Sequence, residues 1–382
     1  MTAPQRSGRP GVAVYRRSLL EPSETFIISD TLALERYDPL FIGDERSSNG
    51  LALPAGRVVI GTPGGRWQRA LRRRLPGHDP QGRLARACRE RGVVLVHGQF
   101  GADSLGALDL AEVLDLPLVV TYRGFDASMT DDALRAFPEY EPYLRRREEL
   151  FAKAARIVAV SRFLAGELVR QGAPEEKLRV HHAGVALGRP RGDVPREPVV
   201  LFVGRHVEKK GLGDLLDAMA RVRAGVPAAR LLIVGDGPLR GEIEAHARRL
   251  ALDAEFAGWL APEDVARRLR AVRVLCVPSR RAANGDAEGL PTVIPEAAAE
   301  GLPVVGTRHS GIPEGIAEGR SGLLAGEGDA EGLARQLIAV LTDDELWRRL
   351  SDGAREHVAE HFDPRRQAAE LEAIYDEAVA RP

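Results

Sequence analysis

Short aliphatic runs return at intervals down the chain, each followed by a turn and then a helical pattern. Residues 12–15, 38–42, 57–60, 93–97 and 117–121 are such runs in the first half, and residues 199–203, 231–234 and 273–277 in the second. The clearest, Val199-Val-Leu-Phe-Val203, is apolar at every position, the mark of a strand buried on both faces. Strands alternating with helices predict an α/β protein with doubly wound parallel sheets. A length of 382 residues suits two such domains better than one. The best linker is residues 187–198, with three prolines and two glycines. The expected division is an irregular N-terminus at 1–10, domains at 11–190 and 191–362, and a final helical stretch at 363–382.

Net charge is −1, which argues against bulk nucleic-acid binding. No apolar run reaches the length of a membrane span, and the N-terminus lacks a signal-peptide core, so a cytoplasmic location is expected. Cys88 and Cys276 sit in apolar stretches far apart in sequence and are expected as reduced core residues. The basic run from Arg66 to Leu75 has apolar positions at 67, 71 and 75. It suits a solvated surface helix, or else a patch for an anionic membrane surface at the inner face of the membrane.

Four segments of the second half carry candidate chemistry. Gly204-Arg-His-Val-Glu-Lys-Lys-Gly211 joins a strand to a helix, and combines turn glycines with Arg205 and Lys210. Such a junction suits a diphosphate, since amides, a guanidinium and an ammonium all favour anionic oxygens. Only four of the 54 basic residues are lysines, and two of those stand here. Leu231-Leu-Ile-Val-Gly-Asp-Gly-Pro-Leu239 ends a strand on Gly235 and Gly237 but lacks the glycine spacing of a dinucleotide fingerprint. Gly258 and Trp259 follow the next strand. Then comes Glu288-Gly-Leu-Pro-Thr-Val-Ile-Pro-Glu296: a carboxylate, a turn through Gly289, Leu290, Pro291 and Thr292, and a second carboxylate on an expected helix. Separated by a bend, the two glutamates suit different parts of one long ligand better than acid/base work as a close pair.

In the first half the strand at 12–15 feeds a loop containing Ser23, Glu24 and Thr25. Ser23 is a helix cap or a ligand contact. His97 ends a strand in His97-Gly-Gln-Phe-Gly101, and Val120-Thr-Tyr-Arg-Gly-Phe-Asp126 ends the next with Arg123 and Asp126. Ser161 is expected first as a helix cap. His181 and His182 are adjacent, so as strand residues they face opposite ways and do not form one metal site.

The spacing from Glu288 to Glu296, with Arg205, Lys210 and the Gly-Asp-Gly-Pro turn, resembles the retaining, GT-B-fold, nucleotide-sugar-dependent glycosyltransferases of family 4 (glycosyl transferases group 1), nearest to bacterial exopolysaccharide and natural-product types. The resemblance runs over about residues 11–378 and is strongest in the second half. It implies two Rossmann-like domains facing across a cleft, with the last helix crossing back to the first domain. It implies that Arg205 and Lys210 neutralise a leaving diphosphate, that Glu288 contacts the donor sugar and that Glu296 contacts the ribose. Gly204, Gly235, Gly237, Gly258, Trp259 and Gly289 to Thr292 would complete the donor site. Ser23, Glu24, Thr25, His97 and Asp126 would face an acceptor. Relatives often carry histidine at the places of Gln99 and Arg123. An arginine cannot serve as base, so Arg123 would stabilise charge or orient the acceptor. The implied reaction moves a hexose from a UDP- or GDP-linked sugar to an alcohol, with no cofactor and no metal. The rival readings are a sugar-nucleotide epimerase and a non-catalytic sugar- or phosphate-binding protein.

Overall fold

The computed structural model describes residues 8–21, 24–47, 50–62, 79–188 and 197–380. Ser23, the basic run from Arg66 to Leu75 and most of the expected linker lie outside them. The chain divides into two compact units. Unit 1 takes residues up to 127, 131–184 and the stretch from 364 onward, and unit 2 takes 128–130 and 185–363.

In unit 1 the strands are β1 (Gly11–Tyr15), β2 (Asp38–Gly43), β3 (Val58–Ile60), β4 (Val93–Gln99), β5 (Leu118–Tyr122), β6 (Arg156–Ala159) and β7 (Leu178–Val180). They form one sheet in the order β3-β2-β1-β4-β5-β6-β7, and every pairing is parallel. The order reverses between β1 and β4, the switch point at which open α/β sheets bind ligands beyond the carboxyl ends of their strands. Val12, Val14, Leu95, Val119 and Val158 share a core with Leu371, Ile374, Tyr375 and Ala378 of the helix Pro364–Val379. The final helix therefore covers one face of this sheet.

Unit 2 repeats the plan with β8 (Glu197–Val203), β9 (Arg230–Val234), β10 (Ala254–Gly258), β11 (Val272–Val277), β12 (Val304–Thr307) and β13 (Gly322–Ala325). The order is β10-β9-β8-β11-β12-β13, again all parallel, with the switch point between β8 and β11. Alternate strand residues go to opposite faces. Val200, Phe202, Ile233, Val274 and Cys276 fill the core on one side, and Val199, Leu201, Leu232, Leu275 and Val277 fill the other. Both faces are dry, which is why these strands read as unbroken apolar runs. Both cysteines are free and buried.

Several local expectations change. Strand β8 starts at Glu197, so the end of the expected linker is already sheet. Strand β13 falls in Gly-Leu-Leu-Ala, which is too short and too glycine-rich to announce itself. At the first helix, Thr25–Leu32, the N-cap residue is Glu24, and its side chain makes no capping bond. Ser161 does cap the helix Arg162–Arg170, accepting from the Leu164 amide at 3.2 Å. Among the described residues no helix is long and apolar enough to cross a membrane.

Candidate functional site

In unit 2 the candidate residues gather at the carboxyl ends of the strands, around the switch point. Gly211 has φ 65°, and a Cβ on it would stand 1.9 Å from the Pro278 carbonyl oxygen. Only glycine lets the loop after β8 lie this close to the chain leaving β11. That approach brings Lys210 against Glu288, with Nζ 2.7 Å from Oε1. The same carboxylate oxygen accepts from Ser279 Oγ at 3.2 Å. Lys209 holds Asp286 at 2.8 Å. Neither Ser279 nor Lys209 is singled out by the motifs. The signal was the lysine pair itself, in a chain otherwise given to arginine.

Glu288 is 6% exposed. Burial on its own would raise its carboxyl, but Lys210, then Lys209, and the bonds from Lys210 and Ser279 outweigh it and hold the group below the ordinary glutamate range. It is therefore an anion at neutral pH. Glu296, on the helix Val293–Ala299, has no cation to offset burial, and its carboxyl is raised despite a bond from Thr292. Arg205 is exposed and makes no ion pair with any described residue. The amides of Gly289 and Leu290, directly after Glu288, have no acceptor among the described residues. The switch point thus presents an exposed guanidinium, a half-buried ammonium and two open N–H groups, a set suited to anionic oxygens.

The neighbouring turns are packed backbone to backbone. Gly235, at φ 122°, lies where a Cβ would meet the Gly204 carbonyl oxygen at 2.0 Å, and its amide donates to the Gly258 carbonyl at 2.7 Å. Trp259 follows at 64% exposure. The polar loop 280–287, expected to be mobile, is tied at several points. The Arg281 amide donates to Glu327, the Ala283 amide to Glu208, and the Arg280 amide to the Lys209 carbonyl. His309 Nδ1 lies 2.8 Å from Glu327 Oε2.

In unit 1 the candidates meet at the β1/β4 switch point, largely bonded to one another. Arg16 pairs with Glu24 at 2.8 Å and with Asp103, and lies 4.5 Å over the Phe100 ring. Glu24 also accepts from the Glu21 amide. Thr25 is half-buried at the start of its helix. Asp126 is 2% exposed and accepts from the amides of Gly101, Arg123 and Gly124, so its carboxylate braces two loops.

Gln99 and Arg123, the two positions where the resemblance leads one to look for histidines, are bonded to each other. Arg123 Nε and Nη2 donate to Gln99 Oε1 at 3.1 and 2.9 Å. Arg123 Nη2 also stands 3.4 Å from Asp30 of the first helix, and the guanidinium lies 4.4 Å over Phe26. Asp30 in turn accepts from the Gly184 amide. No motif points to Asp30, because its partners come from distant parts of the sequence.

His97 is enclosed, with Nδ1 2.7 Å from Tyr375 Oη and Nε2 2.7 Å from Thr121 Oγ1. Burial, then the charges of Arg123 and His181, push its pKa down to about 3. A histidine in the unfolded chain titrates near about 6.5. Below that pH the unfolded chain takes up a proton that the native chain refuses. The stability His97 confers is complete above the unfolded pKa and is lost as pH falls toward the folded one, by up to about 1.4 kcal/mol per pH unit. His97→Gln is expected to flatten that slope in urea unfolding measured between about pH 4 and pH 6.5. An unchanged slope would show that His97 does not carry it.

Comparison with known proteins adds to this geometry. The family described as Glycosyltransferase Family 4 matches residues 31–189, and the one described as Glycosyl transferases group 1 matches residues 197–343. The chain is 33% identical over 273 residues to a protein of Escherichia coli K12 called putative colanic acid biosynthesis glycosyltransferase WcaL, covering 69% of this chain and 65% of that one. It is 32% identical to the Salmonella typhimurium protein of the same description, covering 71% and 68%. The match thus spans about two thirds of the length of these relatives. Among solved structures, sucrose-phosphate synthase of Thermosynechococcus elongatus superposes with a TM-score of 0.76 at 22% identity, over 97% of this chain and 99% of that one. Anabaena Alr3699/HepE in complex with UDP gives 0.74 at 18%, over 96% and 99%. At these identities the structures establish a shared fold.

Proposed function

This chain belongs to glycosyltransferase family 4, the glycosyl transferases group 1, and on that premise we propose that it moves a hexose from a UDP- or GDP-linked sugar to an alcohol of a sugar, lipid-linked sugar or aminocyclitol, with retention at the anomeric carbon. The observation that carries the reading is the Lys210–Glu288 contact of 2.7 Å at the switch point of unit 2. The donor's diphosphate takes Arg205, Lys210 and the open amides of Gly289 and Leu290. Glu288 orients a sugar hydroxyl and Glu296 the ribose diol, beside the turns of Gly204, Gly235, Gly237 and Gly258 and the Trp259 ring. The C1–O bond to the diphosphate breaks, and the acceptor oxygen bonds to C1 on the same face. The acceptor proton passes to the leaving phosphate oxygen. Charge grows on that oxygen, and fixed cations and amides aimed at it lower the barrier. The reaction needs no side-chain base, which agrees with an arginine at position 123. The relatives' names, with colanic acid biosynthesis among them, favour a glycan acceptor. UDP in the HepE structure favours a uridine donor.

The test is incubation with UDP- and GDP-sugars, with and without a panel of glycan and aminocyclitol acceptors. Acceptor-dependent release of the nucleoside diphosphate is expected, with an axial product bond from an axial donor and with turnover intact in EDTA. An isomerised donor formed without acceptor would make the protein an epimerase. Binding of the donor with no diphosphate released from any acceptor would make it a binding protein.

A further inference from the structure

A second cluster in unit 2 uses none of the residues assigned above. The helix Asp344–His361 carries His357, Glu360 and His361 at spacing i, i+3 and i+4, which puts all three on one face. One ligand atom from each lies within 4.8 Å of the others. The two imidazole rings have centroids 4.7 Å apart.

His357 is 7% exposed, and its Nε2 has no hydrogen-bond partner. The ring does bond to the backbone of Glu314. The Glu314 amide already donates to the Gly311 carbonyl, so it is the Glu314 carbonyl that accepts from His357. With Nε2 unpartnered, the donor is Nδ1. That fixes the tautomer and leaves Nε2 with its lone pair directed at nothing. A metal-bound histidine is held in the same way, by a carbonyl accepting from its far nitrogen. A buried ring nitrogen without a partner carries a desolvation cost, and ligation would remove it.

The charges around the cluster are Glu356, Glu360, Arg320 and His361. Arg320 Nη2 lies 3.1 Å from Glu356 Oε2 and 3.2 Å from Glu360 Oε1. His361 Nε2 lies 3.8 Å from Glu360 Oε2. Two carboxylates against one guanidinium leave a negative balance beside the imidazoles. Burial, then His361, lower the pKa of His357, so its ring is neutral at pH 7 and needs no deprotonation to bind a cation.

We propose that His357, Glu360 and His361 form a binding site for one divalent transition metal of the zinc class, which pins the helix Asp344–His361 to the short helix Ile312–Gly315. Two imidazoles and one carboxylate select zinc, cobalt, nickel or copper over magnesium or calcium. Metal–ligand distances of about 2.0–2.2 Å require the donors to draw closer than they stand here. Glu360 and His361 are about half exposed and free to turn inward, while His357 stays fixed against Glu314. Water completes the tetrahedron.

The test is titration of the full-length protein with cobalt ion, followed by displacement with zinc. One equivalent per chain is expected, with visible absorption bands that zinc abolishes and a midpoint of thermal unfolding that zinc raises. His361→Ala, at an exposed position, should fold normally and lose affinity by at least about tenfold. Glu360→Gln should weaken binding less. His357→Asn tests the buried ligand, and the circular dichroism of the apo form shows whether it has folded. The site is overturned if cobalt gives no bands. It is also overturned if His361→Ala binds metal as tightly as the parent, because the ion then sits on other histidines. Transfer activity is a separate readout: its loss leaves this site standing, and loss of this site leaves transfer standing.

Discussion

Lys210→Ala is expected to fold and to lose turnover by ~10²–10³-fold, the usual effect of removing one preorganised group from a developing oxyanion. The ammonium sits 2.7 Å from Glu288 and, in the proposed reaction, beside the leaving diphosphate. The variant also has a stability cost that must be separated from the catalytic one. Glu288 is 6% exposed, and without Lys210 its charge is left inside with only Ser279 and the more distant Lys209. Breaking a buried pair from one side costs about 3–5 kcal/mol. The double variant Lys210→Ala/Glu288→Gln removes the stranded charge and should recover much of the stability, yet remain as inactive as Lys210→Ala. Urea unfolding and a donor-consumption assay on the three proteins separate the two effects. Near-parental turnover in a folded Lys210→Ala would end the assigned role.

Arg123→Ala should show a large loss of stability, again about 3–5 kcal/mol. The guanidinium donates twice to Gln99 and stands 3.4 Å from Asp30, which is 5% exposed. Burial raises the Asp30 carboxyl against the pull of Arg123, so this aspartate depends on the arginine to remain charged. Without Arg123, Asp30 is expected to be protonated or poorly solvated, and Gln99 loses both donors. Arg123→Ala/Asp30→Asn should regain part of the loss. If the double variant is no more stable than Arg123→Ala, the ion pair does not hold this part of unit 1 together. Arg123→His is a different experiment. It restores the residue type that the resemblance leads one to look for, but it is too short to keep both bonds to Gln99, so activity is expected to fall unless position 99 is also changed to histidine. The two positions should show strong coupling in a double-mutant cycle, as contacting residues do.

The strands were legible because a parallel sheet buried on both faces writes itself as unbroken apolar runs. Val199 to Val203 and Leu231 to Val234 are read without ambiguity for that reason. The donor-side motifs were legible for a related reason. Arg205, Lys210 and Glu288 lie on two connections next to their strands, so each motif carries its own location. The short strand Gly322–Ala325 was not legible, since four residues ending a sheet need no distinctive composition. Asp30, Ser279 and the His357 cluster were also silent. Their roles rest on partners 93, 9 and 43 positions away, at Arg123, Glu288 and Glu314, and no local spacing encodes such pairs.

By itself, then, the order of residues determined the fold class, the alternation of strand and helix, and which loops carry cations and carboxylates. Those features follow from local patterns of burial and turn chemistry, which a few neighbouring residues suffice to express. Only the tertiary structure decided which of the charged groups meet: that Lys210 finds Glu288, that Arg123 is held by Gln99 and Asp30, and that His97 is closed in by Tyr375 from the last helix. The physical reason is that a charge's state is set by desolvation and by neighbours within a few ångströms, and packing alone decides which parts of the chain supply them.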